Sequence, residues 1–397
     1  MEDDDENIKK SGPYELYSDE FLGKGSFGKV YKGIRKLPDS KNPGKEKIED
    51  VAFEEIPQEI IDDKTKLNSL SNKIIISLIL KEENKNEKEQ QKVEDIYQKT
   101  NENIVSFLEI VDIDNDKYLV YEYCNGGDLK RYLEYFKGFD ESMIQFILKQ
   151  VLNGLQYLHD KKIVHHDIKP ENIFVELCPV GNDDNFQKKI IQIMEMTDRR
   201  NRFRSKENNV IKDDELIEIL KHSKIKLSGF GLSKYKKHFN EKEISGTPLY
   251  IDPNLFVPDC DNETVENEKI DIWSIGVLAY ELFFNELPFQ PSPPSIDKLI
   301  EILEIGKYYI DMNKCKEISK ELISFMNMCL QRPQKIRPIC DDLLFSEFIC
   351  REPEYFKKLT LDNYKNEKYP EGDYLKNDGK ITMNIDDNGI INAVFDF

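Results

Sequence analysis

The sequence predicts an α+β fold in which an antiparallel β-sheet is followed by a mainly helical region. Residues 21–57 alternate apolar and polar side chains between turn glycines, a pattern typical of β-strands. Residues 142–159 instead repeat apolar side chains at the 3.6-residue period of a buried helix, and residues 270–284 are an apolar stretch that we interpret as a second helix. A chain of 397 residues is long enough to give each region its own core.

Composition narrows the classes of partner. The formal net charge is −19, which disfavours nucleic acid and anionic membranes and favours basic proteins or simple solubility. The seven cysteines show no C-x-x-C spacing, so we expect reduced thiols and an intracellular, cytoplasmic location. The acidic N-terminus is unlike a targeting signal, and the apolar run at 74–80 is too short to span a bilayer. We therefore expect no membrane insertion.

Several motifs occur in a fixed order along the chain. They are G-K-G-S-F-G-K-V at 23–30, V-A-F-E at 51–54, H-H-D-I-K-P-E-N at 165–172, G-F-G at 229–231, G-T-P-L-Y at 246–250 and D-I-W-S-I-G at 271–276. A lone G-x-G-x-x-G is weak evidence, but this order is specific. The chain thus resembles the eukaryotic protein kinases over about residues 14–350, and Lys169 is typical of the serine/threonine branch.

The resemblance implies the two-lobed kinase fold, with an antiparallel sheet lobe and a mainly helical lobe. The expected boundaries are 14–124 for the N-lobe, with an insertion at about 58–88, and 125–350 for the C-lobe, with an insertion at about 176–222. Each insertion is inferred from about 50 residues lying where a short connection would suffice. Residues 351–397 form a tail with a predicted β-hairpin at 381–394.

The same resemblance assigns residues to phosphoryl transfer. Asp167 matches the catalytic base, Lys169 the residue that steadies the transferred phosphate, and Asn172 a metal ligand. An alternative stays open, because aspartate and asparagine in such a loop also hold its backbone by hydrogen bonds. ATP and Mg²⁺ are the implied cofactors, and the residues expected at the nucleotide are Gly23, Gly25, Gly28, Val30, Ala52, Glu122 and Phe174.

Two positions depart from the family pattern. Glu54 replaces the phosphate-binding lysine, and Gly229 replaces the metal-binding aspartate. A unit charge pair about 4 Å apart is worth about 4 kcal/mol at an effective dielectric of 20, and the substitution reverses its sign. Micromolar binding amounts to only about 8 kcal/mol, so we expect weak or absent binding of magnesium-ATP unless a cation neutralises Glu54.

The helix that pairs with this strand is expected at residues 81–99. Counting back from Ile104 in the family register places Lys92 where the helix glutamate falls, which predicts an inverted pair of Glu54 with Lys92. Glu89 and Glu94 are alternatives at that position, and a solvated lysine is the default interpretation.

Other departures concern the C-lobe and the insertions. His166 replaces an arginine that pairs with phosphorylated activation loops, and Asn254 replaces a glutamate, leaving Arg337 at best a hydrogen bond. The charge-rich segment 176–222 is expected to be dispensable for folding, unless Leu216 and its apolar neighbours pack on the lobe. The apolar run 74–80 is expected to be buried against the sheet lobe or the tail hairpin, with partner docking as the alternative.

The function expected from these features is that of a pseudokinase, a protein-binding or allosteric module. The alternative is an active serine/threonine kinase that uses Asp167 as base and a displaced lysine from among Lys24, Lys29 and Lys32. A third reading is a metal-independent nucleotide binder, which Glu54 opposes. A protein is the expected partner or substrate, and the sequence specifies neither its identity nor an oligomeric state.

Overall fold

The computed structural model describes residues 7–39, 42, 44–86, 101–181, 185–198, 211–235, 246–256, 267–305, 307–311, 317–355, 358–360, 381–385 and 391–396. The chain divides into two compact units. The first comprises Met1–Asn125 with Lys226–Lys234, and the second comprises Gly126–Ile225 with Tyr235–Phe397. An antiparallel sheet in the first unit and a mainly helical second unit confirm the predicted kinase fold.

The first unit is built on a six-stranded antiparallel sheet with strand order β1-β2-β3-β4-β6-β5. Two helices follow β4 and precede β5. The elements are β1 (Ile8–Ser11), β2 (Tyr14–Lys24), β3 (Lys29–Pro38), β4 (Glu46–Ile56), α1 (Gln58–Asp62), α2 (Lys64–Asn86), β5 (Phe107–Ile113) and β6 (Asp116–Glu122).

The two faces of this sheet bury different residues of β4, because successive side chains of a strand point to opposite faces. Val51 and Phe53 belong to one apolar cluster, in which the Phe53 ring meets the edges of Tyr14 and Tyr118 at 5.9 and 6.1 Å between centroids. Ile56 belongs to a second cluster that includes side chains of α2. Glu54, two residues before Ile56, therefore lies on the face that α2 covers.

The apolar run 74–80 lies within α2 and contributes to that second cluster. Ile76 and Leu80 are buried, and Ile74 packs against the cluster, whereas Ile75 and Leu78 are exposed. The predicted burial in the sheet lobe is thus confirmed for the inward half of the run. The outward half follows from the helical period, which turns every third or fourth residue away from the core.

From Gly126 onward the chain is mainly helical. Its elements are α3 (Leu129–Phe136), α4 (Glu141–Asp160), β7 (Ile163–Val164), β8 (Ile173–Glu176), α5 (Phe186–Met196), α6 (Asp213–Lys221), β9 (Lys224–Leu227), β10 (Lys234–Tyr235), α7 (Asn267–Phe284), α8 (Ile296–Ile305), β11 (Lys307–Asp311), β12 (Glu317–Ser319), α9 (Lys320–Cys329), α10 (Cys340–Leu344), α11 (Glu347–Cys350), β13 (Lys358–Thr360), β14 (Ile381–Ile385) and β15 (Ile391–Asp396).

Helices α4 and α7 correspond to the helices predicted at 142–159 and 270–284, and both are confirmed. Asp140 caps α4 by accepting the backbone N–H of Met143 at 2.7 Å, which satisfies one of the free donors at the helix start. Residues 269–282 of α7 are all buried, and Trp273 stacks on Phe289 at 5.4 Å between ring centroids. These helices form the core of the second unit.

The insertion between β8 and β9 buries apolar side chains, contrary to the expectation that its charge-rich sequence cannot contribute to a core. Leu216, Ile219 and Leu220 of α6 are buried, as is Ile193 of α5. The Tyr135 hydroxyl donates to Asp213 at 2.8 Å and so ties α6 to α3. The premise for dispensability is therefore wrong, because apolar side chains here leave water on folding.

The tail forms part of a three-stranded sheet of order β11-β15-β14. Strands β14 and β15 pair antiparallel, with Ile381 opposite Phe395, as a hairpin requires. Strand β11 pairs with the other edge of β15, with Lys307 opposite Asp396, which the sequence did not indicate. Elsewhere, none of the helices in the described ranges is long and apolar enough to cross a membrane.

Candidate functional site

The carboxylate of Glu54 lies on the inner face of β4, between neighbours on two strands. Glu54 pairs with Val30 of β3 and Leu119 of β6 in the sheet register. It is only 3% exposed. Its Oε2 lies 2.5 Å from the Nζ of Lys73, whose side chain is also buried. The acid at the family's lysine position is thus one half of a buried ion pair.

Lys73 reaches Glu54 because it lies on the buried face of α2. Leu70, Lys73, Ser77 and Leu80 follow one another at spacings of three or four residues, and all are buried. The helix that pairs with β4 is therefore α2, at Lys64–Asn86, and not residues 81–99 as the sequence predicted. An inverted pair is present, but its lysine is Lys73.

The predicted partner Lys92 and its alternatives Glu89 and Glu94 lie outside the described residues. Counting back from Ile104 failed because it assumes a fixed length between helix and strand. A better signal was a lysine at the apolar period of the run around 70–80, since a buried lysine needs a buried partner.

Two aromatic rings complete the surroundings of the Lys73 ammonium. It lies 5.4 Å from the ring centroid of Phe27 and 5.3 Å from that of Tyr121, within the range of cation–π attraction. Glu54 is therefore neutralised locally, which meets the condition under which the expected repulsion of ATP weakens. Residue 54 nevertheless carries a negative charge where the family has a positive one, because the acid now lies on β4 and the base on α2.

The glycine-rich loop between β2 and β3 closes onto this pair. Its turn is held by the N–H of Gly25 donating to the carbonyl of Gly28 at 2.8 Å. The N–H of Phe27 donates to Oε1 of Glu54 at 3.2 Å. A Cβ on Gly25 would lie 2.5 Å from that oxygen, so only glycine allows so close an approach.

Gly229 and the rest of the G-F-G motif belong to the first unit. Gly229 adopts φ +84°, a left-handed conformation that favours glycine and that aspartate tolerates better than most residues. A Cβ on Gly231 would lie 2.6 Å from the Oγ of Ser26, at the tip of the glycine-rich loop. The loop tip and the motif that lacks the metal-binding aspartate are therefore neighbours.

The remaining residues expected at the nucleotide are placed as follows. Val30 and Ala52 lie partly buried on β3 and β4, and Phe174 lies on β8 in the second unit. The Glu122 carboxylate accepts the N–H of Ser106 and the ammonium of Lys226, each at 2.8 Å. The side chain of Glu122 thus has a structural role in the first unit.

In the second unit, Asp271 of α7 holds the backbone of the catalytic loop, which is the H-H-D-I-K-P-E-N segment at 165–172. Its carboxylate accepts the backbone N–H groups of His165 and His166, each at 2.8 Å, and lies 2.9 Å from Nε2 of His159. Burial raises the pKa of Asp271, but the hydrogen bond with His159 and the nearby histidines outweigh it, so the pKa is lowered. An ionised Asp271 fixes the loop backbone.

Asp167, Lys169 and Asn172 converge, as the resemblance implies. The Asn172 amide donates to Oδ2 of Asp167 at 2.7 Å, and the Lys169 ammonium lies 3.0 Å from the same oxygen. The Thr247 hydroxyl donates to Oδ1 of Asp167 at 2.6 Å. Sequence reasoning did not single out Thr247, although it stands in the G-T-P-L-Y motif.

The protonation state of Asp167 follows from these contacts. Burial raises its pKa, but hydrogen bonds from Thr247 and Lys169 outweigh burial, so its pKa is lowered from the ordinary value. A carboxylate that is ionised near pH 7 can accept a hydroxyl proton. The Asn172 amide also donates to the backbone carbonyl of Asp167 at 2.7 Å, which is the structural role left open above.

Arg337 retains a full ion pair, which corrects the expectation of a hydrogen bond at best. Its Nη1 lies 2.5 Å from Oδ2 of Asp252, and both side chains are inaccessible to solvent. Asn254, at the family's glutamate position, donates instead to the carbonyl of Arg332 at 2.8 Å. The acid that pairs with Arg337 therefore lies two residues before the family's glutamate position, on the other side of Pro253.

The lysines proposed to stand in for the missing one lie on β2 and β3. Lys24 and Lys29 are exposed. The Lys32 ammonium lies 3.5 Å from Asp50 and 5.2 Å from the ring centroid of Tyr123. None of these three is paired with Glu54, whose partner is Lys73.

Comparison with known proteins agrees with the fold. Residues 16–346 match the family described as protein tyrosine and serine/threonine kinase. Human serine/threonine-protein kinase ULK1 (Homo sapiens) is 28% identical over 257 residues, 64% of this chain and 20% of that protein. Calcium-dependent protein kinase 5 of Plasmodium falciparum (isolate 3D7) is 26% identical over 343 residues, 86% of this chain and 45% of that protein.

The ovarian-specific serine/threonine-protein kinase Lok of Drosophila melanogaster is 25% identical over 279 residues, 69% of this chain and 48% of that protein. The chain spans less than half the length of each of these three relatives. The family match at residues 16–346 nevertheless includes most of both compact units and every motif of the candidate site. The chain belongs to the eukaryotic protein kinase family, in its serine/threonine group.

Proposed function

We propose that this protein is a pseudokinase, with weak or absent phosphotransfer, that acts as a protein-binding or allosteric regulatory module. The observation that carries this function is the contact of the Glu54 carboxylate with the N–H of Phe27. In the family, loop amides cover the nucleotide phosphates and the strand supplies a cation. Here the strand supplies an anion that already occupies a loop donor.

The residues present do not fit the usual magnesium-ATP complex. Gly229 supplies no carboxylate at the position where the family's metal-binding aspartate lies. Losing a single electrostatic stabiliser lowers the rate of catalysis by about 10²–10³. This site lacks two of them, the lysine at position 54 and the aspartate at position 229.

An active serine/threonine kinase is the second candidate, because one observation favours it. The contacts among Asp167, Lys169 and Thr247 give an ionised base held in place. Such a base would accept the proton of a protein hydroxyl as its oxygen bonds to the γ-phosphorus of ATP and the bond from that phosphorus to the leaving ADP breaks. The first unit would then have to bind the triphosphate with the acid and base exchanged.

A regulatory role requires a folded scaffold more than a working site. Both compact units have buried cores, and the changes at residues 54 and 229 leave them intact. The expected partner is a protein, since the net charge of −19 disfavours anionic nucleic acid.

Nucleotide binding separates the two candidates. We expect the melting temperature of the purified protein to stay unchanged with magnesium-ATP, whereas a ligand at 100 times its dissociation constant would stabilise by about 2.7 kcal/mol. The matched variant carries Glu54→Lys, Lys73→Glu and Gly229→Asp, which together restore the family's charges, and it should gain a magnesium-dependent shift. A clear magnesium-dependent shift of the unaltered protein would contradict the pseudokinase.

A further inference from the structure

We propose that Glu54 is a built-in anion for the glycine-rich loop and holds that loop closed without nucleotide. Resting on the proposed function, this assigns to Glu54 the place that the phosphates take beneath the loop in active relatives. The closed loop is then the resting state of the first unit, and the ion pair with Lys73 keeps its anion in position.

The loop amide is the first line of support. Phe27 N–H donates to Oε1 of Glu54, while Oε2 of the same carboxylate is held by Lys73. A carboxylate accepts a backbone N–H more strongly than a neutral oxygen does, because the acceptor is charged. Gly25 lets the loop backbone come close to Oε1 of Glu54, because a Cβ at this position would collide with that oxygen.

The Phe27 ring is the second, independent line. It faces the Lys73 ammonium and packs on the apolar cluster of Ile56, Leu70 and Leu119 beneath the sheet. The loop tip is therefore anchored by buried apolar surface as well as by charge. Phe21, earlier on β2, is more than half exposed and has no part in this anchor.

Together these contacts explain why both members of the inverted pair bear on the loop. Glu54 binds the loop backbone, and Lys73 binds the loop side chain. Removing the anion while leaving the lysine would bury an unpaired charge, so a clean test must neutralise both. Glu54→Leu with Lys73→Met does so at similar volume.

Hydrogen exchange of the full chain, read on peptides covering residues 23–29, tests the closed loop. Without nucleotide we expect the Phe27 amide to be protected, and Glu54→Leu/Lys73→Met and, separately, Phe27→Ala to raise its exchange rate about tenfold or more. Phe21→Ala is the control and should leave the rate unchanged. A folded product is verified by unchanged exchange in α7.

The outcomes distinguish the inference from the proposed function. Free exchange at Phe27 in the unaltered protein, or unchanged protection in Glu54→Leu/Lys73→Met, overturns the role of Glu54 and leaves the proposed function standing. A protected loop that gains further protection from magnesium-ATP supports the built-in anion and overturns the pseudokinase. Protection that is lost in both variants and indifferent to magnesium-ATP supports both.

Discussion

Two ion pairs of this chain, one in each compact unit, differ from the kinase pattern. In one pair the acid lies at another position of the chain, and in the other the acid and the base are exchanged. In the second unit the acid has moved from position 254 to 252, while the base is still Arg337 and the pair is fully buried. In the first unit both positions remain charged and paired, but the acid now lies on β4 and the lysine on α2.

The difference separates what folding needs from what phosphoryl transfer needs. A buried arginine needs a nearby carboxylate, and Asp252 serves as well as a residue two positions later. We expect folding to depend little on which side of the Glu54–Lys73 pair carries the acid, since either orientation pairs the two buried charges. Nucleotide binding is not indifferent, because the phosphates are anions and meet the strand side of the pair.

The largest effect is expected at Arg337. Asp252→Ala leaves a fully buried guanidinium without its carboxylate and should lower the free energy of unfolding by about 3–5 kcal/mol, measured by urea denaturation. Adding Asn254→Glu returns the acid to the family position and should recover most of that loss. A loss below about 1 kcal/mol for Asp252→Ala would show that the pair is not needed for folding.

The exchanged pair gives a double-mutant cycle. Glu54→Lys and Lys73→Glu each bury two like charges, and each alone should destabilise the protein by about 3 kcal/mol. The double variant restores the pair in the family orientation and should unfold within about 1 kcal/mol of the original protein. Additive losses in the double variant would mean that the orientation itself is fixed by packing.

A smaller effect on the free energy of unfolding is expected in the insertion between β8 and β9, which contains neither of the two ion pairs. Leu216 is fully buried, so Leu216→Ala should lower the free energy of unfolding by about 2–3 kcal/mol. Ile191→Ala is the control, since Ile191 is exposed, and should change it by less than about 0.5 kcal/mol. Equal, small losses in both variants would restore the view that the insertion is dispensable.

Sequence reasoning predicted the fold and the catalytic loop because their motifs are local and ordered. Asp167, Lys169 and Asn172 lie within six residues, so their convergence needs no long-range information. The partner of Glu54 lies on another element, and its identification required the helix boundary, which was misplaced from Lys64–Asn86 to residues 81–99.

Two further predictions, for the partner of Arg337 and for the insertion at 176–222, were wrong because burial was not considered residue by residue. Fixed motif positions predicted a weakened Arg337, whereas in the structure the carboxylate of Asp252, two residues before the family position, pairs with it. The charged composition of residues 176–222 likewise concealed the few apolar side chains of α6 that are buried. In both cases the burial of particular atoms, which composition does not report, determined the outcome.

The tail sheet bears on where the protein can be shortened. The family match ends at residue 346, and a chain cut shortly after α11 would retain β11 and lose β14 and β15. Because β15 is the middle strand, β11 would then lose the strand that pairs with it and expose a row of backbone N–H and C=O groups. A shortened protein is therefore expected to self-associate through that edge, and biochemical comparison with other kinases is better made on the full chain.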